Sequence, residues 1–194
     1  MNLEENELTI EQQELLYLIS KITDSNNCPT NWVKETPLQA MMFYAIRKGI
    51  FNEYDYAPIS SSFLGQGRKF VNISKEGEDD LGDLREMGFL ETIRLSSTTH
   101  DFITGYRSSP KSKKLIELLP NEVKERIDHI FICPKCKAEN FALNIKVEKS
   151  EFKMVCNQCN HDEYIPLVIP EDVSYKTKAY FFENLDKKNM GDEL

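Results

Sequence analysis

The apolar residues near the start of the chain recur with the three-to-four-residue spacing of an amphipathic helix. Thr9 to Gln12 has the residues of a capping box, which predicts that a helix begins there. A second capping box is predicted at Thr36 to Gln39, with Pro37 at the first helical position and Gly49 as the stop. The two helices are expected to bury Leu15, Leu16, Leu18, Ile19, Ile22, Leu38, Met41, Met42, Ala45 and Ile46.

The pattern changes twice in the next part of the chain. Residues 60–72 are predicted to form a loop, and a third helix is predicted from Ser74 to Met87, with Gly88 as its stop. From Phe89 onwards apolar and polar residues alternate as in a β-strand, and Phe102 to Arg107 is a second extended run. A hairpin directly after a helix predicts the wing of a winged helix-turn-helix domain.

Two more helices are predicted before the first cysteine of the second half. One runs from Lys113 to Leu119 and stops at Pro120, and the next begins with Asn121 as its cap. The second of these places its apolar residues on one stripe, formed by Val123, Ile127, Ile130 and Phe131. It leads directly into the cysteines and is expected to fix their orientation.

Four cysteines form two C-x-x-C pairs, Cys133 with Cys136 and Cys156 with Cys159, with nineteen residues between the pairs. This spacing predicts a structural zinc site, in which two knuckles direct four thiolates at one Zn²⁺ and leave no position open for a substrate. Two extended runs between the pairs, at 141–147 and 152–155, predict a hairpin. The alternatives are a redox-active dithiol and two disulfides, and disulfides require an oxidising compartment, of which the sequence has no sign.

These patterns predict an α+β protein: a winged helix-turn-helix domain followed by a small β zinc ribbon. The expected boundaries are an acidic N-terminal tail at 1–7, the winged-helix domain at 8–120, a connecting helix at 121–131, the ribbon at 132–170 and a C-terminal tail at 171–194.

Composition narrows the class of protein further. The chain has a formal net charge of −8, so it lacks the excess of basic residues found in proteins that bind phosphates without sequence preference. No apolar run approaches the roughly 18 residues of a membrane span, and the first residues lack the basic and apolar regions of a signal peptide. A cytoplasmic protein without membrane association is expected. No catalytic motif surrounds His100, His129 or His161, so neither enzymatic activity nor a small-molecule substrate is expected.

Two charged stretches bear on the partner. The predicted third helix carries Glu76, Asp79, Asp80 and Asp83, which would repel the phosphates of a DNA groove and favour a basic protein partner, although a solvated helix face explains part of the pattern. The run from Arg107 to Lys114 is basic instead, and Arg94 is expected to lie across the hairpin from it. Nucleic-acid contact is therefore predicted for Arg94, Arg107, Lys111, Lys113 and Lys114, with an ordinary soluble rim as the alternative.

The order of helices, wing, connecting helix and ribbon resembles the alpha subunit of the general transcription factor E of archaea and eukaryotes. The likeness lies in that order and in Phe131-Ile-Cys-Pro-Lys-Cys136 followed by Phe152-Lys-Met-Val-Cys-Asn-Gln-Cys159. In that family the domains dock on RNA polymerase near the upstream edge of the bubble. Only Cys133, Cys136, Cys156 and Cys159 match as functional positions. The acidic third helix, the short connecting helix and the long loop before residue 74 depart from the family.

Three functions follow as hypotheses. The leading one is a non-enzymatic, zinc-binding adaptor that docks on a larger nucleic-acid machine such as RNA polymerase. The second is an accessory subunit of a bacterial or archaeal ATPase or nuclease complex, in defence or chromosome maintenance. The third is a DNA-binding transcriptional regulator, which would need dimerisation and an unusual recognition helix.

Overall fold

The computed structural model describes residues 8–24, 31–63, 67–97, 100–139, 141–146 and 151–166. This part of the chain is a mixed α+β fold, as predicted, built from helices and small antiparallel sheets. Its helices are α1 Ile10–Thr23, α2 Glu35–Arg47, α3 Lys75–Glu86, α4 Pro110–Leu118 and α5 Asn121–Phe131. Its strands are β1 Val33–Lys34, β2 Ala57–Phe63, β3 Gly67–Ile73, β4 Leu90–Ser97, β5 His100–Ser108, β6 Phe141–Lys146, β7 Glu151–Cys156 and β8 Asp162–Pro166. None of the described helices has the length and apolar character that crossing a membrane requires.

The starts of α1 and α3 confirm the predictions. The Thr9 hydroxyl accepts from the Gln12 N–H at 3.1 Å, and the Thr9 N–H donates to Gln12 Oε1 at 3.2 Å, which completes the capping box. Ser74 caps α3 by accepting from the Gly77 N–H at 3.2 Å. Each bond satisfies an amide that has no partner within the helix.

The predicted capping box of α2 is wrong. The helix begins earlier, at Glu35 after Lys34, and no side chain caps it. Pro37 therefore lies within the first turn, where the N–H that proline lacks would have had no intrahelical partner. The predicted stop is confirmed, since Gly49 has a φ of 71° and its N–H donates to Ile46 O at 2.9 Å. Gly88 ends α3 in the same conformation, with a φ of 78°.

Strands β4 and β5 form the predicted hairpin, with Leu90 opposite Ser108. Strand β1 adds to the free edge of β5, where Val33 lies opposite Tyr106, and the sheet order is β1–β5–β4. The turn predicted between β4 and β5 includes residues 98–99, which lie outside the described residues.

The loop predicted at residues 60–72 is wrong. Strands β2 and β3 form an antiparallel hairpin there, with Ala57 opposite Ile73 and Phe63 opposite Gly67. Three consecutive serines, Ser60 to Ser62, are typical of loops, and for this reason the sequence did not predict β2. Pairing along the whole length of two strands outweighs that local preference.

The last two helices are close to their predicted positions. Helix α4 begins at Pro110 rather than Lys113, with the proline in its first turn. Helix α5 spans the predicted range and buries the predicted stripe of apolar residues. Asn121 is not its cap, because Pro120 precedes the helix and no side chain makes a capping bond.

The third sheet contains the predicted hairpin and one strand that was not predicted. Phe141 lies opposite Cys156 in the β6–β7 pair, and Phe152 lies opposite Ile165 in the β7–β8 pair. The sheet order is β6–β7–β8. The sequence of β8 begins Asp162-Glu-Tyr, which has no alternating apolar pattern. The turn between β6 and β7 falls largely on residues 147–150, outside the described residues.

The buried core lies between α1, α2 and α3 and continues through α5 into the third sheet. Fully buried leucines of α1 belong to the same apolar cluster as Cys133, Met154 and Cys156. On its outer side α5 is tied to α1 through Asp128, which accepts from the Tyr17 hydroxyl at 3.0 Å and lies 2.9 Å from Lys21 Nζ. The core is continuous from the helices into the third sheet. The predicted domain boundaries remain predictions.

Candidate metal centre

The two cysteine pairs lie on turns of the same construction. In the first, the Lys137 N–H donates to Cys133 O at 2.9 Å, and in the second the Asn160 N–H donates to Cys156 O at 2.9 Å. Lys137 and Asn160 hold equivalent places and have φ values of 62° and 55°, which lie in the left-handed region. The hydrogen bonds that close each turn join residues close in sequence, so the spacing of the cysteines indicates the turn.

The turns bring four sulfur atoms together, all within 4.8 Å of one another. Cys133 Sγ lies 3.6 Å from Cys159 Sγ, and Cys136 Sγ lies 3.5 Å from Cys156 Sγ. Sulfur ligands at about 2.3 Å from a tetrahedral Zn²⁺ are about 3.8 Å apart, so the cluster has the size of one such site. Within the described ranges, no other group of three or more His, Cys, Asp or Glu side chains could hold a metal ion.

The burial and the surroundings of the thiols favour cation binding. Cys133 and Cys156 are buried, whereas Cys136 is exposed. Burial opposes ionisation of Cys156, but the N–H groups of Cys159 and Gln158 outweigh it and lower the pKa of the thiol to about 6. Burial also opposes ionisation of Cys133, and the N–H groups of Cys136 and Lys135 hold its pKa below the usual value. The His161 N–H lowers the pKa of Cys159, but burial and the contacts with the other three cysteines outweigh it and raise the pKa to about 12. Two of the thiols therefore ionise readily, and a cation between the sulfurs would favour the thiolate form of all four.

A short chain connection and a hydrogen bond hold the cysteine-bearing sheet against the helices. Helix α5 ends at Phe131, so Cys133 follows it almost directly. On the opposite edge, the Tyr44 hydroxyl of α2 donates to Glu163 Oε1 of β8 at 3.0 Å. Burial raises the pKa of Tyr44, and the negative charge of Glu163 raises it further, so the phenol remains a donor.

Arg94 lies on β4, across the hairpin from Arg107 on β5, but the two residues do not share a face. Arg94 lies opposite Thr104 and Arg107 lies opposite Glu91, and these two pairs face opposite sides of the hairpin. Arg107 also has an acidic partner, since its Nη2 lies 2.6 Å from Glu91 Oε2. Its guanidinium covers the Trp32 ring at 4.4 Å from the centroid.

The three predicted lysine contacts lie in α4. Lys111 Nζ donates to Met87 O at 2.9 Å and lies 4.6 Å from the centroid of the Phe89 ring. Lys113 and Lys114 are exposed. Their contact with nucleic acid stays a prediction, but Arg94 and Arg107 face opposite sides of the hairpin and cannot both join the lysines in one continuous basic surface.

The predicted acidic contacts of α3 divide into two groups. Glu76, Asp79 and Asp83 are exposed, and their spacing places them on one side of the helix together with Glu86. We call these four residues the α3 acidic face. Asp80 lies elsewhere: it accepts from Gln12 Nε2 at 2.8 Å and from the Tyr54 hydroxyl at 2.5 Å. Asp80 is therefore occupied in joining α3 to α1.

Sequence reasoning missed a second internal network, around Arg126 of α5. Its Nη1 lies 2.8 Å from Glu14 Oε1, and its Nη2 donates to the carbonyl oxygens of Gly49 and Ile50 at 3.1 and 2.5 Å. Glu14 is buried in α1, and its burial raises the pKa of the carboxyl to about 7 despite the attraction of Arg126. Glu14 is an acidic residue inside the apolar stripe of α1, and this exception in the pattern could have indicated a buried ion pair. Its partner, Arg126, is distant in sequence and could not be identified from it.

A family model, described as the uncharacterized protein MJ1567 family, matches residues 11–163. The matched segment extends from α1 into β8 and contains both cysteine pairs. No curated protein and no solved structure matches the chain.

Proposed function

The chain belongs to the uncharacterized protein MJ1567 family, and we propose that its four cysteines hold one structural zinc ion. The sulfur spacing fits tetrahedral Zn²⁺, and four protein thiolates leave no coordination position for a substrate or an activated water. A site of this kind stabilises a fold and performs no reaction. The short strands β6 and β7 between the two pairs support the interpretation of this part as a zinc ribbon.

The helical part is proposed to be a winged helix-turn-helix domain with an inserted hairpin. Its support is the order α1, β1, α2, α3, β4, β5 and the three-stranded sheet in which β1 lies on β5. The β2–β3 hairpin stands between α2 and α3, the two helices that form the helix-turn-helix. In this arrangement α3 corresponds to the helix that usually enters the major groove of DNA.

The α3 acidic face is the single observation that carries the functional proposal. The opposite side of α3 is committed to the core through Gly77, Leu81 and Leu84, so the acidic side is the one available to a partner. A carboxylate beside a DNA phosphate costs roughly 1 kcal/mol per close pair in water, and more when both are desolvated. A basic protein surface is favoured by the same charges.

The function supported best is a non-enzymatic adaptor that docks through α3 on a larger nucleic-acid machine, with RNA polymerase as the first candidate. Lys113 and Lys114 could add phosphate contacts from α4, on which they are exposed. An accessory subunit of an ATPase or nuclease assembly would use the same surface and is distinguished by the identity of the partner. A transcriptional regulator that reads DNA through α3 is opposed by the α3 acidic face.

The test is purification of the full chain from its native host, followed by mass spectrometry of the proteins it retains. Three forms are compared: the wild type, Asp79→Lys with Asp83→Lys, and Glu53→Lys with Asp55→Lys. The last has the same change of charge at exposed positions outside α3. The wild type and this control should retain RNA polymerase subunits, whereas the α3 variant should lose them while keeping its zinc and its circular dichroism spectrum.

Three outcomes decide between the hypotheses. An ATPase or nuclease retained in place of the polymerase identifies the accessory-subunit function. Retention of the same partner at the wild-type level by the α3 variant overturns docking through α3. Binding of one specific duplex, with an affinity that falls steeply as salt rises, would identify a DNA reader instead.

A further inference from the structure

A cleft of about 660 Å³ lies where α2, α5, the first cysteine turn and β8 meet. Its volume falls in the usual range of sites that bind small molecules or a short peptide segment. Tyr44 and Glu163, which join α2 to β8, line it together with Pro134 of the first cysteine turn. None of the functions proposed above uses this cleft.

The floor of the cleft is apolar. Ile50 follows the stop of α2, and Ile130 lies in the last turn of α5. Ile132 and Pro134 continue the apolar surface towards the cysteines. Apolar side chains that line an open cleft are favourable for the rings and aliphatic stems of a peptide.

The rim of the cleft is predominantly acidic. Glu122 and Glu125 project from α5, both are exposed, and neither forms an ion pair within the described part of the chain. Glu163 adds a third carboxylate. Of the two cations on the lining, Arg126 is committed to Glu14, and Lys48 lies against the face of the Tyr44 ring at 5.0 Å from its centroid. The rim therefore suits a basic ligand with apolar or aromatic side chains.

The chain itself contains a segment of that chemistry at a suitable distance. Residues 173–182 read Val-Ser-Tyr-Lys-Thr-Lys-Ala-Tyr-Phe-Phe, with two lysines, four aromatic residues and no acidic residue. Strand β8, which contributes Glu163 to the cleft, ends at Pro166. Between Pro166 and residue 173 an extended chain can span roughly 20 Å, at about 3.3 Å per residue.

We propose that residues 173–182 dock in this cleft of the same molecule, with aromatic rings on the isoleucine floor and lysines beside Glu122 and Glu125. A short tether gives such a segment an effective concentration in the millimolar range, so even weak contacts are sufficient for occupancy. Docking would cover the junction between the helices and the metal centre. The proposal is independent of the partner that α3 binds.

Photo-crosslinking within the full chain tests the docking. Phe181 is replaced by p-benzoylphenylalanine, the zinc-loaded protein is irradiated, and the linked peptides are identified by mass spectrometry. Equal amounts of ¹⁵N-labelled and unlabelled protein are mixed beforehand to separate links within one chain from links between two chains. Links within one chain to residues 44–50 or 122–134 are expected.

A charge-reversal pair sharpens the result. Glu122→Lys with Glu125→Lys should lower the yield of these links about fivefold, the effect of losing two surface ion pairs. Asp79→Lys with Asp83→Lys carries the same change of charge on α3 and should leave the yield unchanged. Links only to other parts of the chain, links only between two chains, no links, or equal losses in the two variants would each overturn the proposal. None of these outcomes depends on the identity of the partner of α3.

Discussion

The helical part of the chain, residues 8–131, buries a large set of apolar side chains, including Leu15, Leu84 and Ile127 at 0% exposure. The cysteine-bearing sheet, residues 133–166, buries only Cys133, Met154 and Cys156 among the side chains that the structure describes there. Apolar burial contributes roughly 25 cal/mol per Å², so among the described side chains these three residues supply far less stabilisation than the helical core. The helical part can therefore rely on packing, whereas the sheet is expected to depend on the metal ion that is proposed to join its four sulfurs.

The two regions are nevertheless joined by specific contacts. Tyr44 holds β8 through Glu163, and Arg126 anchors α5 to the end of α2. Since α5 leads directly to Cys133, disorder in the sheet would reach the last turn of α5 before it reaches α1 or α3. Substitutions at the metal centre should therefore destabilise mainly the sheet, and substitutions in the helical core should destabilise mainly the helices.

The largest effect is expected from Cys156→Ser, which removes a buried sulfur from the cluster. Zinc content should fall from about one ion per chain to nearly none, because three remaining thiolates bind far more weakly and the folding of the site depends on the metal. Hydrogen exchange should accelerate throughout β6, β7 and β8, while α1 and α3 keep most of their protection. Elemental analysis and exchange mass spectrometry measure the two effects.

Cys28→Ser is the matched control, because the same atom is replaced at a cysteine outside both pairs. It should leave the zinc content at about one. Stoichiometric zinc in Cys156→Ser, or equal loss of protection in α3 and β7, would contradict the contrast between the two regions.

The contrast also explains which parts of the molecule could be predicted from sequence. The cysteine turns are closed by hydrogen bonds between residues close in sequence, such as Lys137 and Cys133, so the C-x-x-C spacing was sufficient to predict them. The role of Asp80 depends on Gln12, which is 68 residues away in sequence. The same holds for Arg126 and Gly49, which are 77 residues apart. No local pattern indicates such pairs, because they are formed only when the helices pack.

The second largest effect belongs to the helical core. Leu84→Ala removes a fully buried side chain of α3 and should lower the free energy of unfolding by about 2–5 kcal/mol, measured by urea denaturation. Zinc stoichiometry of the folded protein should remain at about one. Leu118→Ala provides the control, since Leu118 is 68% exposed and its truncation should change stability by less than about 0.5 kcal/mol. A Leu84→Ala protein that loses its zinc while still folded would show that the two regions are not held separately.

A smaller effect is expected from pH, through Glu14. Burial raises the pKa of this carboxyl to about 7, against about 4.5 for a glutamate in the unfolded chain. The folded state therefore retains a proton that the unfolded state has lost, and stability should fall by about 2–3 kcal/mol between pH 4.5 and pH 7 and then level off. Arg126 and Glu11 are the charged groups that act on this carboxyl, and they oppose each other.

Glu14→Gln isolates this contribution, because an amide of the same shape does not titrate. The decline between pH 4.5 and pH 7 should disappear in urea denaturation curves, whereas Glu53→Gln, at an exposed site, should preserve it. An unchanged slope in Glu14→Gln would mean that the ion pair with Arg126 keeps the carboxyl charged in the folded protein.

The smallest effect is expected from the first cysteine turn. Lys137 has a φ of 62°, a conformation that is strained for a residue with a β-carbon and free of strain for glycine. Lys137→Gly should raise the free energy of unfolding of the zinc-loaded protein by about 0.5 kcal/mol, because the relief of strain exceeds the added entropy of the unfolded chain. Lys137→Ala keeps the β-carbon and should gain nothing. Asn160→Gly should gain less than Lys137→Gly, because asparagine tolerates the left-handed conformation that both positions require. Equal gains at the two positions would mean that lysine is not the strained member of the pair.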